Sequence, residues 1–297
     1  MRNPADEFDI GEELREIILA SEKCVIMLIG GPDTGKTALV ERLADWLARS
    51  GTVAVVDSDM GQSHIGPPTT IGWGLVKDKF AGWDAVETEG FYFVGAASPY
   101  RHLLPTVVGA KLMCDAARSN ARFVIVDTTG LATGELGCVL KWSKIDAIQP
   151  DIVLAIQRGD ELEPLLAPYR HAESPIIVPM RPPEAVGNKT VNQRTSYREG
   201  LFARYFENSD ATELSGDCVS LRGKDTVPQP GGQNLVNRLV SLRDGNGRDI
   251  ALGIIVEIDV SRNLFLVRTP LKSGDEVRTV VLGDLRISPD GKQLANA

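Results

Sequence analysis

The chain has 297 residues, 43% of them hydrophobic and 24% charged, enough to bury one large core or a medium core with a smaller satellite. Its 32 basic against 40 acidic side chains give a formal charge of −8, which argues against broad electrostatic adhesion to nucleic acid. No apolar run approaches the ~20 residues that span a bilayer, the acidic N-terminus lacks the basic start of a signal peptide, and Cys24, Cys114, Cys138 and Cys218 have no spacing suited to zinc or a disulfide framework. The expectation is a cytoplasmic protein with buried thiols, no membrane partner and two domains.

Residues 1–22 are polar apart from Leu14, Ile17, Ile18 and Leu19, which predicts one short helical segment beside the first strand. The apolar run Cys24–Ile29 predicts that strand. It leads into Gly30-Gly31-Pro32-Asp33-Thr34-Gly35-Lys36-Thr37, which fits G-x-x-x-x-G-K-[ST]. A helix over Lys36–Arg49 follows, with Leu39, Val40, Leu43, Trp46 and Leu47 at helical spacing. In that context Gly30, Gly31, Pro32, Asp33, Thr34, Gly35, Lys36 and Thr37 form a loop for a nucleoside triphosphate. Glycines let backbone N–H groups close on the phosphates, and the helix N-terminus adds partial positive charge. Lys36 would reach the β- and γ-phosphates, and the Thr37 hydroxyl would ligate Mg²⁺.

Further strands are predicted at Thr52–Val56, Phe91–Val94, Arg122–Val126, Asp151–Ile156 and Pro175–Val178, alternating with helices at Leu103–Ser119, Glu135–Lys144 and Glu161–Tyr169. The alternation implies an α/β domain over residues 23–210, a P-loop NTPase whose mostly parallel sheet carries helices on both faces. Ligands of such sheets sit at the carboxyl ends of the strands. Two strand ends carry acids, Asp57-Ser58-Asp59-Met60-Gly61-Gln62 and Asp127-Thr128-Thr129-Gly130. Either cluster can hold a magnesium shell, and one carboxylate can accept a proton; spacing does not rank them. Asp127-Thr128-Thr129-Gly130 also satisfies the D-x-x-G of regulatory GTPases, but the nearest N-K-x-D, Asn188-Lys189-Thr190-Val191, lacks its aspartate, so that reading is weak. His64, His102 and His171 have no metal partner at helical or turn spacing, although His64 and His102 each follow a strand that ends at the site.

Charge is unevenly spread. Residues 1–180 carry 16 basic and 25 acidic groups, whereas residues 181–206 carry five basic and two acidic, the basic ones being Arg181, Lys189, Arg194, Arg198 and Arg204. On its own such a run reads as a solvated helix face. Residues 211–297, with eleven charges of each sign, turn to short β-like runs at Cys218–Leu221, Leu239–Leu242, Ile250–Ile258, Asn263–Arg268 and Glu276–Leu282. The turn clusters Pro228–Gly232 and Asp244–Gly247 separate them, which predicts a small C-terminal β-rich domain, a barrel or a sandwich, bracing the larger one.

Taken in order, the motifs resemble those of the polyribonucleotide 5′-hydroxyl kinases, a family that includes the kinase subunit of eukaryotic pre-mRNA cleavage and tRNA splicing complexes and the kinases of ribosomal RNA processing. The resemblance lies in the phosphate loop, in Asp59-Met60-Gly61-Gln62 as D-x-G-Q, in Ile65–Thr70, in Gly95–Pro99, and in Thr128-Thr129-Gly130 with Gly134 and Gly137 as T-x-G-W-x-x-G-x-G. It also gives the basic stretch 181–206 a role: Arg194 and Arg198, followed by Phe202 and Arg204-Tyr205-Phe206, look like the family's arginine-rich lid. The resemblance implies ATP and Mg²⁺ as cofactors and transfer of the γ-phosphoryl group to the 5′-hydroxyl end of a nucleic acid, RNA in preference to DNA. Lys36 would hold phosphates, Asp59 accept the hydroxyl proton, and Arg198 and Arg194 close over the transferring group, with Arg204 one place out of register. Thr37, Asp59 and Asp127 would serve the metal, and Gln62, Thr129 and Gly130 the substrate. Leu131 stands where the family has tryptophan, and the N-terminal β domain of eukaryotic members has no counterpart, so the chain looks like a compact prokaryotic member. The alternative is a nucleotide-binding adaptor that phosphorylates nothing.

Overall fold

A computed structural model describes residues 10–183, 187, 189–223 and 235–294. Asn188 and the Pro228–Gly232 cluster lie outside them. The first sheet is built from β1 (Cys24–Gly30), β2 (Val53–Ser58), β3 (Thr70–Val76), β4 (Thr88–Phe93), β5 (Phe123–Thr128), β6 (Ile152–Ile156) and β7 (Ile176–Met180). Their order is β4-β3-β2-β5-β1-β6-β7; the five from β2 to β7 run parallel, while β3 and β4 pair antiparallel at one edge.

Both faces of this sheet are covered, which is why β1 reads as an unbroken apolar run. Val25, Met27 and Ile29 point to one core with α3 (Leu103–Asn120), α4 (Gly134–Ile148) and α5 (Glu163–Leu166). Cys24, Ile26 and Leu28 point to the opposite core with α1 (Glu12–Ala20) and α2 (Lys36–Ala48). The parallel strands therefore deliver β1, β2 and β5 side by side, with Asp57 registered against Asp127 at their carboxyl ends. No helix among the described residues is long and apolar enough to cross a membrane.

Strand β3 was not legible as a strand, because Gly72 and Gly74 interrupt it. Both are needed for close approach: a Cβ at Gly72 would lie 2.2 Å from the Ile65 carbonyl oxygen, and one at Gly74 2.3 Å from that of Glu87. The basic stretch resolves into α6 (Val191–Phe206), capped by Thr190, whose hydroxyl accepts from Gln193 N; Arg181 lies outside this helix.

Beyond α6, the described residues form one seven-stranded sheet, where the sequence left open a barrel or a sandwich. It comprises β8 (Asp210–Ser215), β9 (Ser220–Arg222), β10 (Arg238–Arg243), β11 (Asp249–Asp259), β12 (Leu264–Thr269), β13 (Thr279–Ile287) and β14 (Gln293–Leu294), in the order β14-β13-β10-β11-β12-β8 with β9 alongside β13. Alternation again serves two faces: Val240, Leu242 and Ile255 enter a core of this sheet alone, whereas Leu239, Leu252 and Ile254 pack on Phe93, Phe202 and Phe206 of the first sheet and α6. The Asp249 side chain, 2% exposed, fastens the junction, accepting from Arg243 Nε at 2.7 Å and from Phe93 N at 2.9 Å. Three of the predicted thiols are buried; Cys218 is exposed, because it sits in the turn before β9 and not in a strand interior.

Candidate active site

The phosphate loop follows from the end of β1. Gly35 caps α2 at φ 85°, a left-handed conformation that an L side chain resists, and Lys36 opens the helix from that turn. Lys36 Nζ lies folded into its own loop, donating to the carbonyls of Gly30 at 3.0 Å and Gly31 at 2.6 Å. Burial lowers its pKa, opposed by Asp127, Asp59 and Asp33 nearby. Thr37 Oγ1 donates to Asp127 Oδ2 at 3.2 Å, so the helix hydroxyl and the strand-end carboxylate meet as the sequence suggests. Gly130 brings the segment after β5 onto the loop: a Cβ there would lie 2.8 Å from Pro32 N.

The three acids divide by environment. Asp57 is buried, and its carboxylate accepts from the amides of Asp59, His64 and Ile65, so it shapes the turn after β2. Burial raises its pKa to about 7. Asp127 is also buried, raised to about 6 by desolvation and then by Asp57, and its Oδ1 accepts from Thr128 N. Asp59 is only partly buried; its Oδ1 accepts from Gly61 N at 3.1 Å. Of the three, Asp59 is the one placed to meet a ligand with a free oxygen.

Helix α6 approaches this floor from above. Arg194 Nη2 donates to Asp33 Oδ2 of the phosphate loop at 2.6 Å. One turn on, Arg198 Nη1 donates to Gly61 O at 3.4 Å and Nη2 to Gln293 Oε1 of β14 at 2.7 Å. Lys189 Nζ donates to Gln62 Oε1 at 3.0 Å. Lys36, Thr37, Asp59, Gln62, Asp127, Gly130, Arg194 and Arg198 thus converge. Arg204 does not join them; it lies two turns down α6, 3.4 Å from Asp84. Three polar atoms of the predicted site, Gln62 Nε2, Thr129 Oγ1 and Arg198 Nε, are buried with no hydrogen-bond partner among the described residues. Such capacity is costly unless something arrives to use it.

Two features escaped sequence reasoning. Lys141 and Lys144 of α4 are both completely buried behind the site. Lys141 Nζ donates to Thr128 Oγ1 and to Thr129 O, each at 2.7 Å, and Lys144 Nζ donates at 2.7 Å to Ser58 Oγ, which donates in turn to Asp127 O. Burial drives the Lys141 pKa well down and that of Lys144 to about 8. Their three-residue spacing beside Leu140, Ile145 and Ile148 on one helix face was the available signal. The second feature is an aromatic row: the His64 ring stacks on Trp83 at 4.7 Å, and its Nδ1 lies 3.3 Å from the Tyr197 hydroxyl of α6. Burial lowers the His64 pKa.

A lysine-bearing phosphate loop between β1 and α2, faced by a carboxylate on the neighbouring strand and covered by an arginine helix, defines a P-loop nucleotide-binding protein. The family model of the mRNA cleavage and polyadenylation factor CLP1 P-loop matches residues 30–208, more than half of the chain, and the protein belongs to that family. Similar proteins include the polyribonucleotide 5′-hydroxyl-kinase of Pyrococcus horikoshii, 30% identical with 87% of this chain and 71% of the relative covered. Those of Pyrococcus abyssi and Methanocaldococcus jannaschii are each 28% identical, covering 91% and 98% of this chain and 89% and 94% of theirs. The fold is shared with Clp1p in its complex with Pcf11p, at a TM-score of 0.71 and 13% identity over 92% of this chain and 77% of that one.

Proposed function

We propose that this protein is an ATP-dependent polynucleotide 5′-hydroxyl kinase acting on RNA ends in the cytoplasm. The observation that carries the reading is the convergence on one phosphate loop of a partly exposed aspartate, Asp59, and two lid arginines, Arg194 and Arg198. Its relatives bear the name of that activity.

The loop amides and Lys36 hold the β- and γ-phosphates once Nζ leaves the Gly30 and Gly31 carbonyls. Thr37 Oγ1 and Asp127 Oδ2 are hard oxygens suited to Mg²⁺, and no group of three or more His, Cys, Asp or Glu among the described residues forms a separate metal cage. Mg²⁺ would be held by Thr37, with Asp127 and Asp59 in support, beside the phosphates; when bound it neutralises charge on their oxygens. The acceptor 5′-oxygen forms its bond to the γ-phosphorus as the bond to the β-bridging oxygen breaks. The hydroxyl proton passes to Asp59 Oδ2, and ADP leaves with the electron pair. Arg194 and Arg198 meet the charge that spreads over the equatorial oxygens. Gln62 Nε2 and Thr129 Oγ1, both unpartnered, are spare polar groups for the acceptor backbone or the phosphoryl group.

The test is transfer of label from γ-labelled ATP, with Mg²⁺, to matched 5′-hydroxyl RNA and DNA oligonucleotides. Label at the 5′ end of RNA supports the reading. Tight ATP binding with no transfer to any oligonucleotide sinks it and leaves a nucleotide-binding adaptor.

A further inference from the structure

Beside the catalytic turn, and outside everything assigned above, runs a groove of about 570 Å³ between the β3–β4 edge, α6 and the second sheet. One wall is the stacked pair His64 and Trp83 with Phe91; the other is Leu201, Arg204 and Tyr205. We propose that this groove takes the base of the acceptor's second nucleotide, the one immediately 3′ of the phosphorylated end. The proposal rests on the kinase reading for the location of the reacting hydroxyl.

Three observations point there. The groove opens off the site itself, because the His64 amide is bound by Asp57 in the turn that presents Asp59, and the His64 ring is shared between Trp83 and Tyr197. Helix α6 then measures the distance. Arg198 sits over the catalytic turn, and Arg204 lies six residues further, about 9 Å along the axis at ~1.5 Å per residue. A strand anchored by its 5′-oxygen at Asp59 reaches that depth with its second nucleotide.

The third observation is chemical. The aromatic wall suits the π-face of any base, whereas Asp84 and Glu89 line the same groove against the single cation Arg204, an unfavourable setting for a phosphate. Carboxylates instead accept from the exocyclic and ring N–H groups of bases. Arg204, exposed and paired to exposed Asp84 at 3.4 Å, can stack on the base from the other side. The position left without a task at the catalytic centre thereby acquires one.

The experiment measures kcat and KM with Mg²⁺-ATP for a nucleoside 3′-monophosphate, a dinucleotide, and a dinucleotide with an abasic second position. The proteins are wild type, Trp83→Ala, Trp83→Phe and Leu201→Glu. For wild type, KM falls at least about five-fold from monophosphate to dinucleotide, the lower end of the effect of stacking one base, and the abasic acceptor loses that gain. Trp83→Ala and Leu201→Glu abolish the gain while leaving KM and kcat for the monophosphate within about two-fold; Trp83→Phe keeps most of it. A gain that survives both substitutions, or persists without the second base, overturns the proposal. Failure of phosphorylation on every acceptor instead rejects the kinase reading. Binding of a 3′-fluorescein tetranucleotide, followed by anisotropy, then decides the groove by itself: weakening by Leu201→Glu and Trp83→Ala upholds it, and unchanged or absent binding rejects it.

Discussion

Arg194 cannot serve a transferring phosphoryl group while it is bonded to Asp33, so Asp33→Asn should tighten ATP binding. Asp33 stands in the phosphate loop at φ 51°, a left-handed conformation that asparagine tolerates at least as well as aspartate. The new side chain keeps an oxygen for Lys189 N, which now donates to Oδ2 at 3.2 Å, and loses only the charge. Two terms then favour the nucleotide. The pair, with side-chain exposures of 30% for Arg194 and 15% for Asp33, is worth about 1 kcal/mol after screening. Removing a negative charge some 6 Å from an incoming phosphate gains about 0.7 kcal/mol in water-like surroundings and about 3 at an effective dielectric of 20. Together they give an expected gain of about 2–4 kcal/mol, a dissociation constant about 30- to 1,000-fold lower.

Calorimetric titration with a non-hydrolysable Mg²⁺-ATP analogue and with ADP is the assay. Because Arg194 is assigned to the γ-phosphoryl group, the gain should be larger for the triphosphate, and it should shrink as salt is raised. Equal gains for ATP and ADP would detach Arg194 from the γ-position. An unchanged or weakened ATP affinity, with the melting profile preserved, refutes the idea that Asp33 competes with phosphate for the lid.

Asp59→Asn should leave ATP affinity within about two-fold while lowering transfer about 10²- to 10⁴-fold; normal turnover would remove Asp59 from the role of base. Arg198→Ala should cost about 10²- to 10³-fold in kcat, read in single-turnover transfer, and a change confined to KM would count against a contact made in the transition state. Phe202→Ala, emptying a fully buried site between the two sheets, should destabilise by about 3–5 kcal/mol in denaturant unfolding, and a cost under about 1 kcal/mol would mean that this interface does not hold the fold. For Lys144 the sign is set by a folded pKa of about 8 against the ordinary 10.5: the unfolded chain binds more protons between these values, so stability rises with pH across that window. The unfolding free energy of wild type should therefore gain on that of Lys144→Met by on the order of 2 kcal/mol between pH 8 and 10, and a constant difference would place the ammonium in a better-solvated setting.

What the sequence made legible was whatever depends on local pattern. The strand, loop and helix around Lys36 were readable because backbone geometry and phosphate chemistry both act within one continuous stretch, Cys24–Arg49, and the acids at Asp57, Asp59 and Asp127 followed from strand ends. Ranking those acids was not possible, because what separates Asp57 from Asp59 is three amides that close on one carboxylate only after the turn to Ile65 has formed. Strand β3 was hidden because its glycines answer to carbonyls of Ile65 and Glu87, not to strand propensity. Lys141 and Lys144 were hidden because lysine on a helix reads as solvent-facing until the helix is packed.

The buried lysines bear on how the site is kept rigid. Asp57 and Asp127 are two buried carboxylates on adjacent strands, registered side by side, and Asp57 raises the pKa of Asp127. Left alone they would push β2 and β5 apart or take up protons. Lys144 ties the two strand ends through Ser58 to the Asp127 carbonyl, and Lys141 ties β5 to β1 through Thr128, whose hydroxyl donates to Leu28 O. The three strands that present the phosphate loop, Asp127 and Asp59 are thus cross-linked from behind by two buried lysine amino groups. The arginines of α6 are held differently, by part-buried contacts to Asp33, the Gly61 carbonyl and Gln293 that a phosphate can replace.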